Sequence, residues 1–122
     1  MAAIAMAAMA ALLATVIVGV VSVGIAFAAR SQAVAGADAA ALAAAVATYP
    51  AAANTAPGQL AASVARANGA ELVFCSCRVD ASLEARVVVV IVEVPVDVPI
   101  FGNLSIRVGA RAEFDPRRWL GR

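Results

Sequence analysis

The sequence contains no histidine and no lysine, and only 14% of its 122 residues are charged. Without histidine, the chain lacks the commonest general base and the commonest metal ligand. The acidic residues are scattered, and no two stand at a spacing typical of cooperating carboxylates. A formal charge of +1 provides no basic face of the kind that nucleic-acid binding requires. We therefore expect no enzyme activity, no cofactor and no metal site, and the sequence establishes no nucleic-acid partner.

Charge is missing altogether from residues 1–29, where alanine, valine, isoleucine, leucine and methionine predominate. An uncharged apolar run of about 18 residues or more is a candidate transmembrane helix. As a helix this run would be roughly 43 Å long, which exceeds the roughly 30 Å hydrocarbon core of a bilayer. The alanine-rich helical pattern continues past Arg30 to about Tyr49, and Pro50 ends it. The sequence thus predicts a stalk helix over residues 1–49 and a head over residues 50–122.

Small side chains in the stalk alternate with larger apolar ones. Small residues let helices approach closely in a membrane, where the hydrophobic effect no longer drives association. Two interpretations stay open: a single-pass anchor that faces lipid, and a helix that packs against copies of itself. For the second, we predict that the packing residues are Ile4, Met9, Leu12, Leu13, Val16, Ile17, Gly19, Val20, Gly24 and Phe27.

The head is predicted to combine one short helix with a small sheet. Pro57 suits the first turn of a helix over residues 57–68, because its missing N–H is not needed there, and Gly69 suits the position just after the helix end. Alternating apolar residues and an unbroken β-branched run then predict three antiparallel strands, at about residues 71–79, 84–94 and 103–114. One sheet face is expected to pack on the helices and the other to be partly covered by a neighbouring subunit.

Cys75 and Cys77 are too few ligands for a structural zinc site. On a regular strand these two residues would point the same way but lie too far apart for an unstrained disulfide. The favoured interpretation is a pair of buried thiols that pack as small apolar residues. A strained internal disulfide and a disulfide between subunits are the alternatives.

Three further residues are candidates for contacts between subunits. Asp38 is either a solvated acid or the partner of an arginine, and Arg30 of a neighbouring copy is the natural candidate. Trp119 lies in an arginine-rich tail over residues 115–122. It has three open interpretations: it rests on anionic lipid headgroups, fills a groove on the next subunit, or completes the head.

Several segments, in order along the chain, resemble TadE/TadG-like proteins of tight-adherence pilus loci. Arg30, Gln32 and residues 37–45 (ADAAALAAA) are similar to the alanine-rich signature of these proteins, and residues 65–72 and 92–96 are similar to the actinobacterial TadE-like branch. The resemblance covers nearly the whole chain. It implies a type IV pilin-like protein that a prepilin peptidase processes and that leaves the membrane for a filament or its assembly machinery.

Two features depart from the pattern of that family. Type IV pilins usually carry a glutamate near the start of the mature chain, where this chain has Ala5. In the TadE-like branch, one cysteine tends to lie in the second helix and to pair with a strand cysteine, whereas the second helix predicted here contains none.

The expected fold class is α+β and pilin-like: a long N-terminal hydrophobic stalk helix, a short second helix and a three-stranded antiparallel sheet head. The expected function is that of a structural subunit of a Tad-type surface filament. Its partners would be copies of itself in a helical homopolymer, the inner or cytoplasmic membrane before assembly and, by resemblance, the prepilin peptidase and pilus assembly machinery. The alternatives are a minor pilin or assembly-priming component, and a monomeric single-pass membrane-anchored binding module.

Overall fold

One helix, α1 (Ala2–Ala47), forms the long axis of the molecule, and the computed structural model describes residues 1–121. Its 46 residues correspond to about 69 Å of continuous helix. Thr48 ends the helix: its N–H donates to the carbonyl of Ala44 at 3.0 Å, and its hydroxyl donates to the carbonyl of Ala45 at 2.6 Å. The predicted stalk helix is confirmed. Arg122, the last residue of the predicted tail, lies outside the described residues.

The second helix, α2 (Pro57–Ala67), begins at the predicted proline and is followed by Asn68 and Gly69. Gly69 has a φ of 74°, a left-handed conformation that favours glycine. A Cβ at this position would also collide with the side chain of Gln32 on α1. Gly69 therefore allows the left-handed turn after α2 and also leaves room for this turn to pack against α1.

The three strands are β1 (Glu71–Ser76), β2 (Arg86–Val98) and β3 (Gly102–Phe114), in the order β1-β2-β3 with both pairs antiparallel. The α+β fold class is confirmed, but the predicted bounds of β1 and β2 were wrong. β1 stops three residues earlier than predicted, and β2 begins at Arg86 and continues through Pro95. Because β1 pairs with β2 only as far as Glu93, β2 is an edge strand beyond that residue, where proline is tolerated.

A β-bulge interrupts the alternation in β1. The register shifts between Leu72, which pairs with Val92, and Phe74, which pairs with Ile91. The extra residue turns both Val73 and Phe74 to solvent, while Leu72 packs against the core. A strict period of two would have placed Leu72 and Phe74 on the same face.

The core lies between the sheet and one face of α1. Alternate valines of β2 point at the helix and are nearly fully buried; Val88, Val90 and Val92 are among them. The facing side of α1 carries only small residues, so the helix and sheet backbones come close together. These helical residues are Ala29, Ala33, Gly36, Ala37, Ala40, Ala41, Ala44 and Ala45.

The sheet lies along α1 instead of beyond its end. The two long strands have 13 residues each, or about 43 Å at the usual strand rise. The Asp80 N–H donates to the Thr48 carbonyl at 2.8 Å at one end of the sheet. At the other end, the β2–β3 turn lies beside Val18 and Ser22 of α1. The head therefore covers the C-terminal part of α1, while the N-terminal part stands free.

Candidate functional site

The free N-terminal part of α1 carries the main apolar surface of the protein. The side chains of eight predicted packing residues are between 55% and 73% exposed: Ile4, Met9, Leu12, Leu13, Val16, Ile17, Val20 and Phe27. The other two, Gly19 and Gly24, have open space where a Cβ would project. These residues face all sides of the helix, and a helix that is apolar all round is stable when lipid or other protein surrounds it.

Within residues 1–121, α1 is the one helix long and apolar enough to cross a membrane by length and composition. No residue of its most apolar 18-residue window is buried by the rest of the chain. The core helix of a soluble protein would be mostly covered, so this helix does not serve only the fold of its own head. It is compatible with membrane anchoring or with a signal sequence.

Arg30 and Asp38 are both exposed on α1. With Phe27 and Val34 they line a shallow groove of about 440 Å³. They are eight residues apart, about 12 Å along the helix axis, which is too far for an ion pair within one helix. Neither forms an ion pair with another described residue. We call this surface the charged strip; it continues the apolar N-terminal part of α1.

Trp119 is held by a short helix that the sequence did not predict. In α3 (Pro116–Trp119), the Asp115 carboxylate accepts a hydrogen bond from the Arg117 N–H at 3.0 Å. The Trp119 ring lies 6.2 Å from the ring of Tyr49 and 6.5 Å from that of Phe114, measured between centroids. Trp119 therefore packs within the head, which was one of the three interpretations of this residue. Half of its surface stays exposed, beside Leu42, so a contact with lipid or another subunit stays a prediction.

Cys75 and Cys77 form a disulfide with each other, and their Cα atoms are 5.4 Å apart. The favoured interpretation as free buried thiols was therefore wrong. β1 ends at Ser76, between the two cysteines, so the regular strand geometry assumed for the pair does not apply. A Cα separation of this size is ordinary for disulfides. Such a bond is typical of proteins that face an oxidising compartment.

Arg86 closes the loop between β1 and β2, a role that the sequence did not reveal. Its largely buried guanidinium donates to the carbonyls of Asp80, Ser82 and Glu84. The Asp80 carboxylate accepts from the Ser82 N–H at 2.8 Å. The hydrogen bonds from the backbone and side chain of Ser82, and then the charge of Arg86, lower the pKa of Asp80. The arginine contacts these carbonyls only because of the tertiary path of the loop, which local sequence patterns do not show.

The outer face of the sheet, away from α1, is partly apolar. Phe74 and Val87 are about half exposed, and Ile91, the cross-strand partner of Phe74, is partly buried. At one end of this face, the guanidinium of Arg107 donates to the Glu93 carboxylate at 3.0 Å. Hydrogen bonds from Ser105 and Arg107 lower the pKa of Glu93. No neighbouring part of residues 1–121 covers this face, and its predicted coverage by another subunit stays a prediction.

Among the described residues, no group of three histidine, cysteine or acidic side chains is placed to hold a metal ion. Three exposed surfaces are prominent on the described part of the chain: the free part of α1, the charged strip and the outer sheet face. Comparison of the chain with protein-family models, with curated proteins and with solved structures finds no match.

Proposed function

We propose that this protein is a structural subunit of a type IV pilus-like, Tad-type surface filament and polymerises through α1. One observation carries the proposal: the free part of α1 is apolar on all sides and continues without a break into the core helix of the folded head. A filament that leaves the membrane must keep this apolar surface out of water, and packing against copies of α1 would do so. The continuous helix would hold each head at a constant position around such a bundle.

The distribution of side-chain size along the free part of α1 supports packing against other helices. Leu12, Val16 and Val20 follow each other at four-residue spacing and form ridges. Gly19 and Gly24 leave gaps in the surface where a neighbouring helix could approach. A lone anchor in lipid needs the apolar character but not the gaps.

The charged strip supports a contact between copies beyond the apolar segment. Arg30 and Asp38 carry opposite charges on one helix face and have no partner among the described residues. A second copy displaced by about eight residues, or about 12 Å along the axis, would bring its Asp38 beside Arg30. Such a pair would set the register of neighbouring helices, in the way that charges beside an apolar seam set the register of coiled coils.

Before assembly, the proposal places the subunit in the inner or cytoplasmic membrane through the same part of α1. The free segment is long enough to cross the hydrocarbon core. Filament formation would then exchange lipid contacts for contacts with other α1 helices. The prepilin peptidase and the assembly machinery are the partners that the TadE-like resemblance adds to this proposal.

The test is the effect of Val16→Asp in the full chain, with Val16→Leu as the matched control. Because Val16 lies outside the core of the head, circular dichroism of both purified variants in detergent should match the unmodified protein. Electron microscopy and N-terminal sequencing of sheared surface material should find filaments containing the control and none containing Val16→Asp. Normal filaments from Val16→Asp, or no filaments containing the unmodified chain, would count against the proposal.

The outer sheet face favours a second candidate, a monomeric membrane-anchored binding module that presents Phe74, Val87 and Ile91 to a partner. The purified state separates the two. A monomer in detergent, with no filament at the cell surface, supports the binding module. Filaments in which this chain is rare beside another subunit support the role of a minor pilin or assembly-priming component.

A further inference from the structure

The turn between β2 and β3 carries two large apolar side chains that the rest of the chain leaves uncovered. Ile100 is 84% exposed and Phe101 is 70% exposed. Ile100 also has a φ of 76°, a conformation that is costly for a β-branched residue and easy for glycine. Neither the packing nor the backbone of the turn therefore accounts for an isoleucine here.

The turn is level with the apolar part of α1. Ile100 and Phe101 line a cleft of about 570 Å³ together with helical residues between Ala14 and Val23. A hydrocarbon core of about 30 Å accommodates about 20 helical residues. If residues 1–20 span this core, its outer boundary falls beside the turn. Arg30, the first charged residue, then lies about 15 Å further out along the helix.

We infer that the β2–β3 turn enters the outer leaflet while the subunit is held in the membrane, with Ile100 and Phe101 among the lipid acyl chains. The inference rests on the membrane stage of the proposed function. The protein then contacts lipid at two places, through α1 and through the turn. Two contacts fix the height of the head above the bilayer and its rotation about α1, which a single helix leaves free.

The residues of the hairpin suit a turn that enters the outer leaflet, and they limit how deeply it can enter. No charged residue lies between Asp97 and Arg107, so the turn and its flanks are electrically neutral. Asp97 and Asn103 pair across the hairpin and are exposed. Ile100 is three positions after Asp97, about 10 Å of strand, a depth comparable with that of interfacial amphipathic helices. The edge of β2 beyond Glu93 has no partner strand, so this backbone must stay out of the hydrocarbon.

The test places a single tryptophan at the turn of the full chain. Trp119→Phe removes the native tryptophan and keeps an aromatic ring beside Tyr49, and Phe101→Trp then reports on the turn. The protein is reconstituted into phosphatidylcholine vesicles that contain lipids brominated near the upper end of the acyl chains, and fluorescence quenching is measured. Val16→Trp in the same background reports on α1. Leu42→Trp, exposed on α1 far from the turn, is the matched control outside the membrane.

We expect strong quenching of Val16→Trp and Phe101→Trp, with a blue-shifted emission, and at least several-fold weaker quenching of Leu42→Trp. Strong quenching of Val16→Trp with Phe101→Trp no more quenched than Leu42→Trp would overturn the inference and leave the membrane stage intact. Blue-shifted emission of Phe101→Trp without quenching would overturn it in favour of a second copy that covers the turn. If even Val16→Trp escapes quenching, the membrane stage fails and the inference fails with it.

Discussion

Glu93 and Arg107 form a side-chain ion pair on the outer sheet face, across β2 and β3. The pair links β2 to β3 at the position where β2 loses its β1 partner. Exposed pairs of this kind contribute little to stability by themselves. Their contribution depends on pH, however, because the carboxylate must be ionised.

At the residue scale, we predict that Glu93 makes the protein less stable in acid. Hydrogen bonds from Ser105 and Arg107 lower its pKa in the folded state below the ordinary value of 4.5. As the pH falls, the unfolded state therefore takes up its proton before the folded state does. The stabilisation from the ionised carboxylate is lost as the pH falls from the unfolded pKa through the lower folded pKa. Glu93→Gln should make the melting temperature less dependent on pH between about pH 5 and pH 3.

Glu113→Gln is the matched control, because Glu113 is on β3, has its side chain exposed and forms no ion pair with another described residue. Melting temperatures in detergent across this pH range would be compared for the three proteins. If Glu93→Gln keeps the full acid dependence of the unmodified chain, the pair with Arg107 is not its source.

At the scale of elements, α1 docks on the sheet because its contact face has almost no side chain. The alanines of this face let the helix lie directly on the valines of β2. Gly36 marks a close approach of α1 to the turn between α2 and β1: a Cβ at this position would be 3.0 Å from the Cβ of Ala70, just before β1. Alanine-rich segments with such a face need a flat partner surface, and the β2–β3 hairpin provides it.

We predict that Gly36→Leu destabilises the head by about 2 kcal/mol, because the larger side chain must push α1 away from Ala70. Gly19→Leu is the matched control: it makes the same change in the same helix, at a position with open space around it. Thermal unfolding in detergent should show a lower melting temperature for Gly36→Leu only. Equal melting temperatures for the two variants would contradict the docking described here.

At the scale of the whole molecule, the head and the assembly surface share one helix. The core of the head includes the C-terminal part of α1, so a head without this helix would lose more than a third of its buried apolar core residues. The proposed assembly surface is the free part of α1 together with the charged strip. A change in how neighbouring α1 helices pack would therefore move the heads directly.

We predict that reversing one charge of the charged strip reduces filament formation and that reversing both restores it. Arg30→Asp and Asp38→Arg each place two like charges opposite each other in the proposed contact, whereas the double variant recreates an attractive pair in the same register. Both residues are exposed, so the fold of the head should not change. Filament yield in sheared surface material is the measurement, with at least a several-fold loss expected for each single variant. A double variant as deficient as the single ones would argue against the pair.

Local sequence patterns were sufficient to predict the helices and strands in which apolar residues recur at a regular spacing. The uncharged run and its alanine-rich continuation predicted α1, and Pro57 and Gly69 bounded α2 correctly. In β3 the alternation held from Ile106 to Phe114. Continued to Leu104 it would turn that side chain inward, but Leu104 is 51% exposed, because the hairpin there extends towards the free part of α1. The bulge in β1 was not predictable from alternation, since an inserted residue leaves no mark in composition.

The sequence by itself determined that this protein has a charge-free N-terminal helix and a small α+β head, because hydrophobicity and periodicity are local properties of the chain. Only the tertiary structure decided that the head lies along α1, that Arg86 closes a loop, that Cys75 bonds Cys77 and that Trp119 joins Tyr49 and Phe114. The disulfide depends on the irregular end of β1. The other features are contacts between residues far apart in the sequence, which meet because the sheet packs along α1.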